Sequence, residues 1–169
     1  MKISGVKKIS IIGLGMMGSS LAASLKRNGF SGIISGYARS QAICDEALEK
    51  KFLDKASTNI LEMIKESDLI VMCLPIKLII KKTNDILKHL KPGAIVTDVG
   101  STKLDIMNQL KDKFDHSDCF FVGSHPICGS EKKGFFSADP DLYLNQNIII
   151  CSEENTPAFI LEKVTDLWS

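Results

Sequence analysis

A short apolar segment that runs directly into three closely spaced glycines constrains the fold of this chain more than any other feature. Residues 8–12 form the apolar run, and Gly13-Leu14-Gly15-Met16-Met17-Gly18 follows it at once. Helical spacing then places Leu21 and Leu25 on one face, and Asn28-Gly29 supplies a C-terminal stop. A strand, a tight glycine turn and a helix in direct succession predict the first βα unit of a parallel sheet.

The sequence predicts a different structural role for each glycine of this turn. Gly13 permits the tight turn, Gly15 lets the backbone approach a pyrophosphate, and Gly18 lets the helix pack closely on the strand. The helix N-terminus then offers N–H groups to the phosphates, with Met16 and Met17 as packing residues beside them. The alternative is a glycine-rich turn that binds nothing. The strand, the helix and a second strand at the expected distance favour a dinucleotide-binding site instead.

Strand-like and helix-like segments continue to alternate along the chain. Further strands are predicted at 33–37, 69–74, 94–99, 120–122 and 148–151, and helices at 17–28, 40–50, about 79–90, 103–111 and from 157 onward. The segment 69–74 is continuously apolar, as in a central strand covered on both faces. We expect the end of that strand, Cys73-Leu74-Pro75, to contact the cofactor. The pattern predicts an α/β fold, a Rossmann-type doubly wound, mainly parallel sheet with helices on both faces. At 169 residues, the chain 1–169 is expected to form one dinucleotide-binding domain.

Charge and cysteine usage narrow the class of protein further. The formal net charge of +1 gives no reason to expect nucleic acid or a membrane surface as partner. The five cysteines are scattered and none lies in a CxxC pair, so neither a disulfide framework nor a metal site is indicated. No apolar run approaches the length of a transmembrane helix. These features favour a cytoplasmic protein with reduced thiols.

The end of the second predicted strand bears on the choice of cofactor. An acidic residue there would bind the ribose 2′-hydroxyl of NAD, but Ala38 occupies that position. Arg39 and Ser40 follow it and are suited to hold a 2′-phosphate by charge and hydrogen bonding. This pattern favours NADP. NAD stays possible if Arg39 stacks on the adenine or lies in solvent.

A polar turn follows the strand predicted at 94–99. Its residues, 98–103, read Asp-Val-Gly-Ser-Thr-Lys and lie at the carboxyl end of that strand, the edge where open α/β sheets bind ligands. Ser101 is therefore expected near the cofactor. By itself it is equally suited to cap the helix that follows.

His125 lies in the least regular part of the chain, 123–147, directly after the apolar run 119–122. We expect a polar loop here, and Pro126 biases His125 toward an extended backbone. Loops of this length are often functional. Because this loop also follows a strand, it should emerge at the same edge as Ser101, so that the two side chains meet near the nicotinamide. Alone, His125 would more often be a structural histidine; with the glycine turn and Ser101, catalysis is favoured.

Three segments in this order resemble the prephenate/arogenate dehydrogenase family of tyrosine biosynthesis: residues 13–18, residues 100–103 and His125-Pro126-Ile127-Cys128-Gly129-Ser130-Glu131. The last is the most specific to the family. The resemblance implies oxidative decarboxylation of prephenate to 4-hydroxyphenylpyruvate, or of arogenate to tyrosine. It implies that His125 accepts the proton of the 4-hydroxyl, that Ser101 orients the imidazole, and that Ser130 and Glu131 line the substrate mouth.

The chemistry of the residues in and near this segment suits the implied roles. A neutral imidazole suits proton abstraction near neutral pH. Lys103, Lys132 and Lys133 are suited to attract a dianionic substrate. However, Glu131 and the two lysines after it would look the same in a solvated loop without a role.

Members of this family normally continue into a helical domain that forms the homodimer and supplies a cation for a substrate carboxylate. On the resemblance, that domain is absent from residues 1–169, which leaves two hypotheses. The chain is either the catalytic half of a dehydrogenase or a cofactor-binding module with little turnover by itself. A dehydrogenase of the β-hydroxyacid type is disfavoured, because it would leave the segment around His125 unexplained.

Overall fold

The computed structural model describes residues 3–129, 131 and 134–169, and its centre is a parallel sheet with helices on both faces. In chain order the elements are β1 Lys8–Ile12, α1 Met16–Arg27, β2 Ile33–Tyr37, α2 Gln41–Glu49, β3 Lys55–Ser57, α3 Ile60–Ile64, β4 Leu69–Met72, α4 Ile76–Ile86, β5 Ile95–Asp98, α5 Lys103–Asp115, β6 Phe120–Phe121, β7 Gly123–Pro126, β8 Ile148–Cys151 and α6 Ala158–Trp168. Short 3₁₀ turns cover Leu87–His89 and Phe135–Ser137. Of the helices in the described part of the chain, none is long and apolar enough to cross a bilayer.

The six strands of the main sheet are all parallel and lie in the order β3-β2-β1-β4-β5-β6. The chain therefore winds outward in one direction from β1 and then in the other from β4. Such a reversal opens a crevice at the carboxyl ends of the two central strands. This arrangement confirms the predicted doubly wound α/β fold, and sheets of this kind bind ligands at that crevice.

Two apolar clusters, one on each face of the sheet, form the core. In β4, Leu69 and Val71 belong to one cluster, and Ile70 and Met72 belong to the other. Successive side chains of a strand point to opposite faces, so a strand between two helical layers needs apolar residues at every position. The continuously apolar run in the sequence is therefore the central strand that it predicted.

A strand and a helix between α2 and β4 are absent from the sequence prediction. The strand β3, Lys-Ala-Ser, has three residues at the sheet edge and no apolar alternation. The helix α3 has five residues and begins at Asn59, whose side chain accepts a hydrogen bond from the N–H of Leu61 at 3.1 Å. Elements this short carry too few residues to show a period.

The stretch around His125 differs from the predicted loop. His125 lies in β7, which pairs antiparallel with β8 as a separate two-stranded sheet. β8 is thus a strand, as predicted, but it is not part of the parallel sheet. The sequence of β7, Gly-Ser-His-Pro, has no strand-like composition, and its pairing depends on the apolar strand β8, more than 20 residues further along the chain.

Candidate active site

Gly13 and Gly18 are glycines because nothing larger fits at either position. Gly13 has φ +107°, and a Cβ added to it would lie 2.4 Å from the carbonyl oxygen of Cys73. A Cβ on Gly18 would lie 2.1 Å from the carbonyl oxygen of Gly13. Gly13 also donates its N–H to the carbonyl of Tyr37 at 2.9 Å, which ties the turn to the end of β2. The tight turn and the close helix–strand packing predicted for these glycines are both present.

Gly15 is different, because a Cβ added there would meet no atom of the described residues within 4 Å. It is the N-cap of α1 with φ −83°, a value open to any residue. Space above a helix N-terminus, with no cap side chain in it, is what a phosphate needs to reach the first N–H groups. Met16 and Met17 form the start of this helix.

One cleft joins the glycine turn to the ends of β2 and β4. Its lining contains most of the residues predicted to bind the cofactor, and it adds three that the sequence did not indicate. The predicted residues are Gly13, Gly15, Ala38, Arg39, Ser40, Cys73, Leu74 and Pro75, and the additional ones are Leu14, Tyr37 and Ile43. Met16, Met17, Gly18 and Ser101 do not line this cleft. The three added residues are apolar or aromatic; Leu14 lies inside the glycine motif, whereas Tyr37 and Ile43 have no motif to mark them.

The rim of this cleft at the end of β2 carries positive charge. Ala38 is buried, whereas Arg39 and Ser40 are exposed. Ser40 is the N-cap of α2, yet its hydroxyl makes no capping hydrogen bond. In the described part of the chain, no hydrogen bond or ion pair involves the Arg39 guanidinium. Both polar side chains therefore lie at the cleft rim without a partner among the described residues that a ligand would have to displace.

The strand β5 ends in a buried ion pair. Asp98 is fully buried, and its carboxylate pairs with Lys103 and accepts the N–H of Gly100 at 2.8 Å. Burial raises the pKa of Asp98, and the charge of Lys103 opposes that effect. Burial likewise lowers the pKa of Lys103, and Asp98 opposes that effect. Each charge thus depends on the other, so the turn from β5 to α5 is held in one conformation.

The same pair fixes β7 beside that turn. Lys103 Nζ donates to the carbonyl oxygen of Ser124 at 2.8 Å, and the N–H of Ser124 donates to Asp98 Oδ1 at 3.3 Å. A Cβ on Gly123 would lie 3.2 Å from Lys103 Cδ and 3.1 Å from the sulfur of Met107, so β7 runs directly against α5. The backbone of the residue that precedes His125 is therefore fixed from two directions.

His125 and Ser101 are brought to the same edge by this arrangement. Side chains alternate along a strand, so His125 shares a face with Gly123, the face that lies against α5. Ser101 lies two residues before the first residue of α5 and is exposed. The N-cap of α5 is Thr102, so the capping role considered for Ser101 is not the one it has. His125 is half-buried.

The remaining residues predicted to bind or attract the substrate are only partly described by the structure. Glu131 is exposed. Ser130, Lys132 and Lys133 lie outside the described residues. Lys103 is not a surface cation for a substrate, because its ammonium group is committed to Asp98 and Ser124.

The Asp98–Ser124 contacts were missed by sequence reasoning. The available signal was an aspartate that ends a short strand beginning with two apolar residues, Ile-Val-Thr-Asp, followed five residues later by a lysine. A charge at such a position is costly unless it is paired. The pairing with Ser124 across 26 residues has no local signal.

Comparison with known proteins supports the family resemblance of the sequence motifs. The family model described as prephenate dehydrogenase, nucleotide-binding domain, matches residues 21–169. A prephenate dehydrogenase of Lactococcus lactis is 32% identical over 149 residues, which cover 88% of this chain and 42% of that protein. The chain spans about half the length of the curated relatives it matches.

Solved structures agree closely with the fold. The arogenate dehydrogenase of Synechocystis superposes with a TM-score of 0.86 at 32% identity, covering 95% of this chain and 55% of that one. The prephenate dehydrogenase of Aquifex aeolicus, in complex with hydroxyphenyl propionate and NAD+, superposes with a TM-score of 0.84 at 29% identity, covering 99% of this chain and 58% of that one. The chain therefore belongs to the prephenate dehydrogenase family, and residues 21–169 match the nucleotide-binding domain of that family.

Proposed function

We propose that the native protein is a prephenate dehydrogenase, which oxidises and decarboxylates prephenate to 4-hydroxyphenylpyruvate with a nicotinamide dinucleotide. One observation carries this proposal. Ser101 follows the carboxyl end of β5, and β7, which carries His125, contacts that end through Ser124 and Asp98. This is the edge of the parallel sheet at which the glycine-lined cleft lies, and the Asp98–Lys103 pair joins the two segments there. Active sites of doubly wound sheets occupy this edge.

We assign the dinucleotide to the cleft lined by Gly13, Gly15 and residues 38–40 and 73–75, with Met16, Met17 and Gly18 at the adjoining helix start and Ser101 toward the nicotinamide. NADP is the favoured form. Arg39 and Ser40 are exposed at the cleft rim, and the buried residue before them is an alanine rather than an acid. NAD is the alternative, since a relative from Aquifex aeolicus has been solved with NAD+.

The bound dinucleotide would take up the hydride that leaves the ring carbon bearing the 4-hydroxyl. His125 accepts the proton of that hydroxyl as the carbonyl forms, so that positive charge does not build up on the carbon and its oxygen as the hydride leaves. Loss of carbon dioxide returns the bonding electrons to the ring, and the oxygen takes back a proton from the His125 imidazolium to end as a phenol hydroxyl. Ser101 holds the imidazole in the orientation that this proton transfer needs. Ser130 and Glu131 line the entrance for the substrate.

Arogenate dehydrogenase activity, with tyrosine as product, is the second candidate. The similarity to the Synechocystis arogenate dehydrogenase supports it as strongly as the relatives named for prephenate support the first. We further propose that dimerisation, and a cation for the substrate carboxylate, come from the helical domain of the family. By that proposal, residues 1–169 alone bind the cofactor with weak or absent turnover. A cytoplasmic location fits the five cysteines, none of which forms a disulfide in the described chain.

Calorimetric titration with NADP and NAD, together with turnover assays on prephenate and arogenate, tests the proposal. We expect the native protein to bind NADP more tightly and to reduce it with one of the two substrates. Absence of turnover with both substrates in the native protein would refute the assigned activity. Robust turnover by residues 1–169 alone would refute the division of roles between the two domains.

A further inference from the structure

The last helix, α6, contacts the strand that carries His125. Trp168, at the end of α6, donates its indole N–H to the hydroxyl of Ser124 at 3.1 Å. Ser124 is fully buried and directly precedes His125. The two residues are 44 positions apart, so this bond is a tertiary link between the end of the helix and β7.

The Trp168 bond completes the hydrogen bonding of the Ser124 hydroxyl. That hydroxyl donates to the backbone oxygen of Asp98 at 2.6 Å and lies 2.8 Å from the hydroxyl of Thr97, which must then be the donor. A serine hydroxyl has one hydrogen to donate and two lone pairs to accept with. With Thr97 and Trp168 as donors and Asp98 as acceptor, all three are used. Loss of the indole N–H would leave a buried acceptor with one partner fewer.

The ring of Trp168 has a second contact that leads to the cofactor cleft. Its centroid lies 5.2 Å from that of Tyr143, at an interplanar angle of 49°. The Tyr143 hydroxyl is buried and donates to the backbone oxygen of Met17 at 2.7 Å. Met17 belongs to the first turn of α1 and lies two residues after Gly15. The end of α6 therefore contacts the strand of the proposed base directly, and it is linked through Tyr143 to the helix that starts at the cofactor cleft.

We propose that Trp168 is a positioning residue for the reaction: its indole N–H holds Ser124 so that the His125 imidazole meets Ser101 in productive geometry. Packing alone would be served by any aromatic ring against Tyr143. The N–H group is what distinguishes tryptophan at this position, because it gives Ser124 its third partner. The consequence for the reaction rests on the function proposed above. The consequence for His125 placement does not, because it follows from the contacts of Ser124.

Trp168→Phe in the native protein tests this directly, since it keeps the ring and removes the donor. We expect kcat to fall on the order of 10-fold, because small displacements of a catalytic group cost large factors in rate. The dissociation constant of the cofactor should stay within about twofold, as the Tyr143 contact is kept. The imidazole resonances of His125 in NMR spectra should shift. Thr165→Ala, an exposed change on the same helix, is the control and should match the wild type in all three measurements.

Ser124→Ala removes the same hydrogen bond from the other side and provides a double-mutant cycle. If the bond is the relevant contact, the double variant loses no more kcat than the more affected single variant. Fully additive losses would overturn the proposal. So would a lowered unfolding midpoint of Trp168→Phe without any change in kcat or in the His125 resonances. A wild-type protein that oxidises neither substrate would refute the proposed function, and the His125 resonances would still decide the role of Trp168.

Discussion

His125 and Ile149 lie directly opposite each other on the antiparallel strands β7 and β8. Paired residues of such strands project from the same face of the sheet, with Cβ atoms about 5 Å apart. Ile149 is 49% exposed, so a partly exposed apolar side chain borders the imidazole. The environment of the proposed base is therefore set in part by β8, a strand more than 20 residues away in sequence.

This pairing predicts how a charge at position 149 changes the pH dependence of the reaction. Ile149→Asp places a carboxylate beside the imidazole and favours its protonated form. Since the base must be neutral to accept a proton, the acid limb of the kcat/KM profile should move to higher pH. Ile149→Asn has nearly the same shape without the charge and should leave the limb in place. Equal profiles for the two variants would contradict the placement of Ile149 beside His125.

The glycine turn predicts opposite outcomes for two alanine substitutions. Gly15→Ala should leave the unfolding midpoint nearly unchanged, because the added Cβ enters open space, but it should weaken dinucleotide binding by at least about tenfold. Gly13→Ala should lower the unfolding midpoint severely, because its Cβ would lie 2.4 Å from the carbonyl oxygen of Cys73 at a φ of +107°. Thermal unfolding and calorimetric titration separate the two effects. Tight binding by Gly15→Ala would place the pyrophosphate elsewhere.

The buried ion pair predicts a large loss of stability in Asp98→Asn. That change leaves the Lys103 charge buried without its partner, which typically costs about 3–5 kcal/mol in the free energy of unfolding. Glu46→Gln removes half of the exposed Lys50–Glu46 pair and is the control, with almost no change expected. Denaturant unfolding measures both. A loss for Asp98→Asn no greater than that of the control would show that the pair does not hold the β5–α5 turn.

The exposed position of Arg39 at the cleft predicts a preference for NADP over NAD. Arg39→Ala removes the exposed cation at the rim of the cleft and should weaken NADP binding by about tenfold or more, because a charge-assisted bond to the 2′-phosphate is lost. NAD, which has no such phosphate, should bind nearly as before. Calorimetric titration of the wild type and the variant with both cofactors gives the ratio of the NADP and NAD dissociation constants for each protein. Equal weakening for both would place Arg39 on a part of the dinucleotide that they share.

Periodicity and turn chemistry predict the main sheet and the glycine turn because both depend on neighbouring residues. Leu69–Met72 needs apolar residues on both faces, Gly13 has the positive φ that the tight turn requires, and Gly18 packs against the carbonyl oxygen of Gly13. The contribution of Tyr37 and Ile43 to the cleft cannot be predicted from the sequence, because such residues occur in any core. The strand β7 is not predicted, because its strand structure comes from pairing with β8 rather than from its own composition. The Ser124–Trp168 bond is likewise visible only in three dimensions.

The proposed role of His125 is tested most directly by the rate of hydride transfer in His125→Asn. Asparagine preserves polarity and approximate size but accepts no proton, and general base catalysis contributes roughly 10²–10⁴-fold. A single-turnover experiment on the native protein, following formation of the reduced dinucleotide with prephenate or arogenate, should show a loss of about 100-fold or more with cofactor affinity unchanged. A rate equal to that of the wild type, with the cofactor bound as tightly, would contradict the role assigned to His125.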